Sequence, residues 1–434
     1  VQYYSLNKKS PNVNFRDAAI TGQAPDKGLY FPEKIVPLSP DFFKQIKNKS
    51  KGQIAFEVIK PYVGDTIREE DLFNICSETV NFDFPLKKIN DDIYSLELFH
   101  GPTLAFKDVG ARFMSRCLGY FSKGSDKQVT VLVATSGDTG SAVANGFLGV
   151  KGVNVVILYP SGKVSKIQEL QLTTLGQNIT ALEVQGTFDD CQTLVKQAFT
   201  DEELNKRLSL TSANSINVAR WLPQQFYYFY ALQQWQHEIA PVISVPSGNF
   251  GNICAGLLAS VSGATIKHFV AACNSNDIFS NYITNNIVTP KTAVPTISNA
   301  MDVGNPSNFV RMLELFAHDH KRIKDFISNC SVSDEITANK IAEVYSTFNY
   351  LLEPHGAVAY YGLQQYLEIH PHDKGIILET AHPVKFGDVV EKIIKRPVEI
   401  PESMKYLLKL EKKSIVIQPK FDVLKEVLIN SFIL

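Results

Sequence analysis

Apolar residues run without polar alternation at several places along the chain, and each run stops at a loop of small polar residues. VTVLVA (129–134) leads into TSGDTGSAVANGF, and VNVVILYP (153–160) into SGKVSKIQELQLTTLG. PVISVP (241–246) leads into SGNFGNICAGLLAS, and GIILET (375–380) into AHPVKFGDVVEKII. A strand buried on both faces loses the two-residue period, so these runs predict parallel strands under helices. The helical stretch after each loop completes an α/β unit. KRLSLTSANSINVARWLPQQFYYFYALQQ (206–234) reads as a strand, a polar loop and a helix whose aromatic rings belong to the core.

The first stretch, 1–90, breaks this rhythm. GQAPDKGLYFPEKIVPLS reads as loop, and the apolar stretches after it read as helices. The expected division is an N-terminal lobe over 1–90, an α/β lobe over 91–235 and a second α/β lobe over 236–434. With 434 residues, 44% hydrophobic and 20% charged, the chain is long and apolar enough for cores of that size. A net charge of −1 gives no basic footprint for nucleic acid and no polybasic membrane patch. The opening VQYYSLNKKS lacks the apolar centre of a signal peptide, and the six cysteines are scattered without a C-x-x-C. These features predict a cytoplasmic protein without disulfides or a zinc site. HDH (318–320) and HPHD (370–373) read as polar surface segments, because the i, i+2 spacing turns the imidazoles apart. No metal is expected.

Three loops carry candidate chemistry. Lys107 follows the small and apolar run Pro102-Thr103-Leu104-Ala105-Phe106 and precedes a predicted helix. Such a lysine either lays its stem across an apolar surface or reacts through an amine whose pKa burial has lowered. PSGNFGN (246–252) follows a strand and opens a helix, with Gly248 and Gly251 allowing close backbone approach, as a phosphate cup would need. It is neither a Walker nor a dinucleotide fingerprint. A Gly-rich turn without a ligand is the plainer reading. ATSGDTGSA (134–142) brings the hydroxyls of Thr135, Ser136 and Thr139 and the free N–H groups of a helix start. It could hold a carboxylate, or Asp138 or Thr139 could simply cap the helix. A part-buried lysine, a phosphate cup and a carboxylate loop together point to pyridoxal 5'-phosphate acting on an amino acid.

At the level of motifs the chain resembles the threonine synthases, within the tryptophan-synthase-like pyridoxal-phosphate enzymes. LFHGPTLAFKD (98–108), ATSGDTGSA, NSINVAR (214–220), SGNFGN (247–252) and ETAHPVKFGD (379–388) resemble that family's motifs in their order. The opening SLNKKSPNVNFRDAAITGQAPDKGLYFP resembles its N-terminal region. The resemblance implies a fold-type II enzyme built like the tryptophan synthase β chain, with two open twisted α/β lobes plus an N-terminal lobe. It implies that Lys107 forms the Schiff base and Phe106 packs the cofactor. Gly248, Asn249, Phe250, Gly251 and Asn252 would hold the cofactor phosphate, and Thr380 would face the pyridine nitrogen. Thr135, Ser136, Gly137, Asp138 and Thr139 would cradle the substrate carboxylate, with Asn217 and Arg220 nearby. Arg220 could equally sit at a surface helix start. Lys163 and Lys166 are candidates for the substrate phosphate against a plain solvated face. The implied reaction turns O-phospho-L-homoserine and water into L-threonine and phosphate, in a monomer or homodimer. Alternatives are a threonine or serine dehydratase, a phospho-lyase that adds no water, or a silent binding protein.

Two positions leave questions. The wider family often has Asn where Asp138 stands, and a carboxylate beside the cofactor's 3'-oxygen would be repelled. Thr380 offers only a hydroxyl, so the ring nitrogen is expected to stay neutral. The plainer role for Thr380 is a cap on the helix starting near Pro383.

Overall fold

The computed structural model describes residues 1–124 and 128–432. The chain is an α/β protein with two large sheets. The first has six strands in the order Ile327–Ser331, His268–Cys273, Val242–Pro246, Gly375–Glu379, Ile93–Glu97, Leu86–Lys88; only the last is antiparallel. The second has five parallel strands in the order Ile415–Ile417, Ile179–Val184, Val153–Pro160, Val129–Ala134, Ser209–Ser212. Every residue of Val129–Ala134 is buried, as the unbroken apolar run requires. A small antiparallel sheet of Val13–Asn14, Gln2–Ser5 and Tyr30–Pro32 precedes them. Tyr30–Pro32 lies inside the stretch read as loop, because three residues are too few to show a period.

The strands do not follow the expected lobe boundaries. Ile93–Glu97 pairs in register with Gly375–Glu379, so it belongs to the sheet expected from 236–434. Ile415–Ile417 pairs with Leu182–Val184 in the other sheet. The chain therefore crosses to the five-stranded sheet after residue 97, returns to the six-stranded sheet at Val242 and crosses again near its C-terminus at Ile415. Strand partners are chosen by tertiary packing, which local pattern does not record.

The helix Lys107–Phe121 joins the two halves. It packs on the helix Asp138–Phe147, where a Cβ on Gly146 would lie 3.1 Å from the Ala111 carbonyl carbon. Phe113 and Phe147 are wholly enclosed. Truncating either to Ala would cost roughly 3–5 kcal/mol. The packing fixes Lys107, the first residue of its helix, relative to the loop after Val129–Ala134. Loops at the carboxyl ends of parallel strands are where ligands bind in such sheets.

Candidate active site

The loop before Lys107 is zipped to the loop after Gly375–Glu379. Leu98 N–H donates to the Glu379 carbonyl at 3.0 Å, Phe106 N–H to the Thr380 carbonyl at 2.8 Å and His382 N–H to the Leu104 carbonyl at 3.0 Å. Leu104 has φ +57°, which turns the chain into the helix. Asp108 anchors that turn, accepting the Thr103 N–H at 2.9 Å and its hydroxyl at 2.5 Å. The half-buried Lys107 is thereby held beside Thr380. Burial lowers its pKa; the Asp138 charge opposes this, and Lys385 and Arg220 add to it. An amine in such surroundings releases its proton more readily than an ordinary lysine.

The carboxylate loop is built around Gly137, whose φ is +135° and whose Cβ would fall 2.4 Å from Gln168 Cδ. Only glycine satisfies both conditions. The cap is neither Asp138 nor Thr139. Thr135 Oγ1 accepts the N–H groups of Gly137 at 3.0 Å and Gly140 at 2.8 Å. Its acceptor capacity thus serves the loop itself. Ser136 and Thr139 stay part-exposed.

Asp138 does not present a free carboxylate. Its Oδ1 takes Lys385 Nζ at 2.9 Å and Gln168 Nε2 at 2.9 Å. Lys385 is fully buried and also donates to the Thr103 carbonyl at 2.8 Å. Burial would raise the Asp138 carboxyl, but the Lys385 and Lys107 charges hold it well below the usual carboxylate range. The expected repulsion of an anion at this loop is removed by that pairing. Lys385 stands in the quoted ETAHPVKFGD motif, yet nothing local marks it as a buried counter-ion.

The loop expected to hold a phosphate lies at the start of the helix Gly251–Val261, which has no side-chain cap; Phe250, at φ +59°, makes the turn. The glycines serve packing rather than a left-handed backbone: a Cβ on Gly248 would lie 2.5 Å from Met301 Cα, and one on Gly251 would lie 3.3 Å from Ser215 Cβ. Asn249 donates to Ser215 Oγ at 3.0 Å and accepts the Ser307 N–H at 2.6 Å. Asn308 donates to the same Ser215 oxygen at 2.9 Å, so its hydroxyl hydrogen is left to donate elsewhere. The Tyr228 hydroxyl donates to Asn252 Oδ1 at 2.9 Å, which leaves the buried Asn252 Nδ2 without a partner among the described residues. Its neighbour Tyr227 donates to the Phe106 carbonyl. Two tyrosines read only as core thus tie the cup to the lysine loop.

Other expected residues divide. Asn217 is spent on structure: Nδ2 donates to the Ala19 carbonyl at 2.8 Å, and Oδ1 accepts the Ala219 N–H at 2.9 Å as a helix cap. Arg220 is buried rather than at the surface; it donates to the Ala213 carbonyl, and its Nε has no partner among the described residues. Burial lowers its pKa to about 10. Lys163, on the loop after Val153–Pro160, and Lys166, the first residue of the helix Lys166–Thr173, are exposed at the same carboxyl end of the sheet as the carboxylate loop. Thr380 is buried and donates to Glu353 Oε1 at 3.0 Å. The cap at Pro383 is supplied by His382, whose Nδ1 accepts the Val384 N–H at 3.2 Å.

These residues fit pyridoxal phosphate: an activated lysine, an uncapped helix start with an orphaned amide donor, and a second open helix start nearby. The comparisons agree. Residues 79–378 match the model for "Pyridoxal-phosphate dependent enzyme", 2–80 that for "Threonine synthase N terminus" and 356–428 that for "Threonine synthase, C-terminal". The threonine synthase of Buchnera aphidicola from Acyrthosiphon pisum is 42% identical, across 99% of this chain and 100% of that one. The crystal structure of the Escherichia coli threonine synthase superposes with a TM-score of 0.92 at 40% identity, covering 99% of this chain and 100% of that one. A pyridoxal-phosphate-bound threonine synthase from Brucella melitensis also reaches 0.92, at 32% identity and 98% coverage of both chains. A threonine deaminase from Solanum lycopersicum, at 16% identity and 0.54, shares the fold alone. The chain therefore belongs to the threonine synthase family of pyridoxal-phosphate-dependent enzymes.

Proposed function

We propose that Lys107 is the cofactor's lysine and that the site around it converts O-phospho-L-homoserine and water into L-threonine and phosphate. The observation that carries this is the lysine itself, held at a helix start between the carboxylate loop and the Thr380 segment with its pKa lowered by burial. Bound there, pyridoxal phosphate supplies a conjugated electron sink for the substrate's α-carbon. Gly248 to Asn252 hold its phosphate through the N–H groups of the uncapped helix, with Asn252 Nδ2 and the Ser215 hydroxyl as further donors. Phe106 packs beside it.

Ser136, Gly137 and Thr139 hold the substrate carboxylate with hydroxyl and first-turn N–H donors. Asp138 contributes through Lys385, keeping that loop neutral enough to accept an anion. Lys107 would serve as the proton carrier at the substrate: its amine would take the proton at Cα and, only after handing that proton on, be neutral again to take one at Cβ. The leaving phosphate at Cγ needs aimed positive charge. Lys163, exposed at the same carboxyl end of the sheet, and the unpartnered Nε of Arg220 are the residues proposed for it.

Six free cysteines support a reducing, cytoplasmic setting. No helix among the described residues is long and apolar enough to cross a membrane. The working unit is proposed as a monomer or homodimer without nucleic acid. The test is a visible spectrum of the purified protein, followed by parallel assays of phosphate and threonine from O-phospho-L-homoserine. Equal amounts of both support the reading. Phosphate without threonine would replace it with a simple lyase.

A further inference from the structure

We propose that Arg311, acting through Asn308, supplies the counter-charge for a phosphate bound at the Ser215 hydroxyl. The proposal rests on the reading that a phosphate monoester lies against the Gly248–Asn252 loop. Arg311 is fully buried on the helix Phe309–Leu315, which packs on the helix Gly251–Val261. Its guanidinium carbon lies 4.3 Å from the centre of the Trp221 ring. Nη1 donates to the Ser215 carbonyl at 2.7 Å and to Asn308 Oδ1 at 2.6 Å. Nη2 donates to the Ile216 carbonyl at 2.7 Å and to the Tyr30 carbonyl at 3.3 Å. All four acceptors are neutral, and none of these partners among the described residues is a carboxylate. Lys385, also fully buried, has Asp138 opposite it. Burial lowers the Arg311 pKa to about 9, which still leaves it charged at neutral pH.

A charge buried without a counter-ion is costly, and bonds to carbonyls offset only part of the cost. Those bonds lead toward the phosphate loop. Because Asn308 Oδ1 accepts from Arg311, its NH2 is turned the other way and donates to Ser215 Oγ at 2.9 Å. Asn249 is oriented in the same manner: Oδ1 accepts the Ser307 N–H at 2.6 Å, and Nδ2 donates to the same Ser215 oxygen at 3.0 Å. With both its lone pairs filled, that hydroxyl can only donate. Ser215 is part-exposed, so a ligand can reach it. The donors therefore run from Arg311 through Asn308 to Ser215, and each bond polarises the next. The open end of this chain needs an acceptor, and the charge at its start favours an anion. The loop itself stays neutral, with the charge one layer behind it. Arg311 is a positioning residue, since it acts through Asn308 and Ser215. The cofactor and O-phospho-L-homoserine each carry a phosphate monoester.

The experiment compares ligands with and without phosphate. Pyridoxal phosphate and pyridoxal are titrated into apoenzyme by the visible absorption of the Lys107 Schiff base. O-phospho-L-homoserine is compared with L-homoserine, as substrate against competitive inhibitor, at saturating cofactor. Arg311→Met removes the charge. Asn308→Asp gives Arg311 a counter-ion in place and draws the Ser215 hydrogen inward, and it keeps the buried arginine paired should Arg311→Met fail to fold. Both variants are expected to weaken pyridoxal phosphate about tenfold or more while leaving pyridoxal unchanged, and Arg311→Lys should recover most of the loss. A comparable rise in KM for O-phospho-L-homoserine, with L-homoserine inhibition and the cofactor affinities unchanged, supports the counter-charge and assigns it to the substrate's phosphate. Equal losses for phosphorylated and unphosphorylated ligands, or no loss in Asn308→Asp, overturn the proposal. A wild-type protein that fixes neither pyridoxal compound on Lys107 overturns the functional reading beneath it, and this proposal with it.

Discussion

The loops proposed for the cofactor phosphate and the substrate carboxylate are the same local device made to work in two ways. Each follows a parallel strand and opens a helix, and each carries a glycine, Gly137 or Gly248, whose Cβ would clash. The cup uses neutral groups only, and its side chains are fixed by short polar contacts to Ser215, Ser307 and Tyr228. The carboxylate loop contains a buried charge, and its electrostatics are set by Lys385, 247 positions away in sequence (385 − 138). On the proposed reading, a site for a resident dianion is made of donors alone. A loop that contains its own carboxylate accepts an anion only after a cation from elsewhere has neutralised it.

Perturbing that cation should do the most damage. Lys385→Ala strands Asp138 as an uncompensated buried charge, and should cost about 3–5 kcal/mol of stability in denaturant unfolding. The double variant Lys385→Ala/Asp138→Asn should recover a large part of it. A loss as great in Asp138→Asn alone as in Lys385→Ala would show that the pair is not the origin.

Acid should find the same weak side. His382 caps the Lys385 segment, and burial, then the His100 charge, lowers its pKa to about 4. The unfolded chain takes up this proton near the ordinary histidine value, about 6.5, before the folded one does. Stability therefore falls as pH drops below that value and levels off near the folded value. The loss is on the order of 2 kcal/mol by pH 5. Unfolding at pH 7 and 5 checks it: His382→Asn, which can still cap, should remove most of the difference attributed to this residue.

The cup should fail more gently. Gly251→Val puts methyls against Ser215 and Asn308, and should weaken cofactor affinity about tenfold or more while changing the melting temperature little. Loss of cofactor from Gly137→Ala but not from Gly251→Val would mean that the two loops have been interchanged. The smallest effect belongs to Lys163→Ala, expected to raise KM for O-phospho-L-homoserine several-fold, in proportion to one exposed phosphate contact. Steady-state kinetics at saturating cofactor measures it.

The comparison also shows what a sequence discloses. The strand–loop–helix units, the helix opening at Lys107 and the Gly-rich turn before Gly251–Val261 were all legible, because each is written in consecutive residues. Lys385, Arg311, Ser215 and Gln168 were not. Each matters through a partner brought close by folding, and a lysine in HPVKF looks locally like any other. Asn217 failed in the opposite sense. It stands in a family-like motif, but its amide is consumed by Ala19 and Ala219. The aromatic run 226–230 was rightly taken as core, yet Tyr227 and Tyr228 also hold the site together through hydroxyls whose targets no periodicity reveals.

The proposed function depends on one proposed bond, between Lys107 and the cofactor. Borohydride reduction of the purified holoenzyme, followed by peptide mass mapping, tests it directly. The account predicts a single pyridoxyl-phosphate adduct on Lys107, and a colourless, inactive but folded Lys107→Ala protein. An adduct on Lys385 or Lys163, or normal threonine formation by Lys107→Ala, would contradict it.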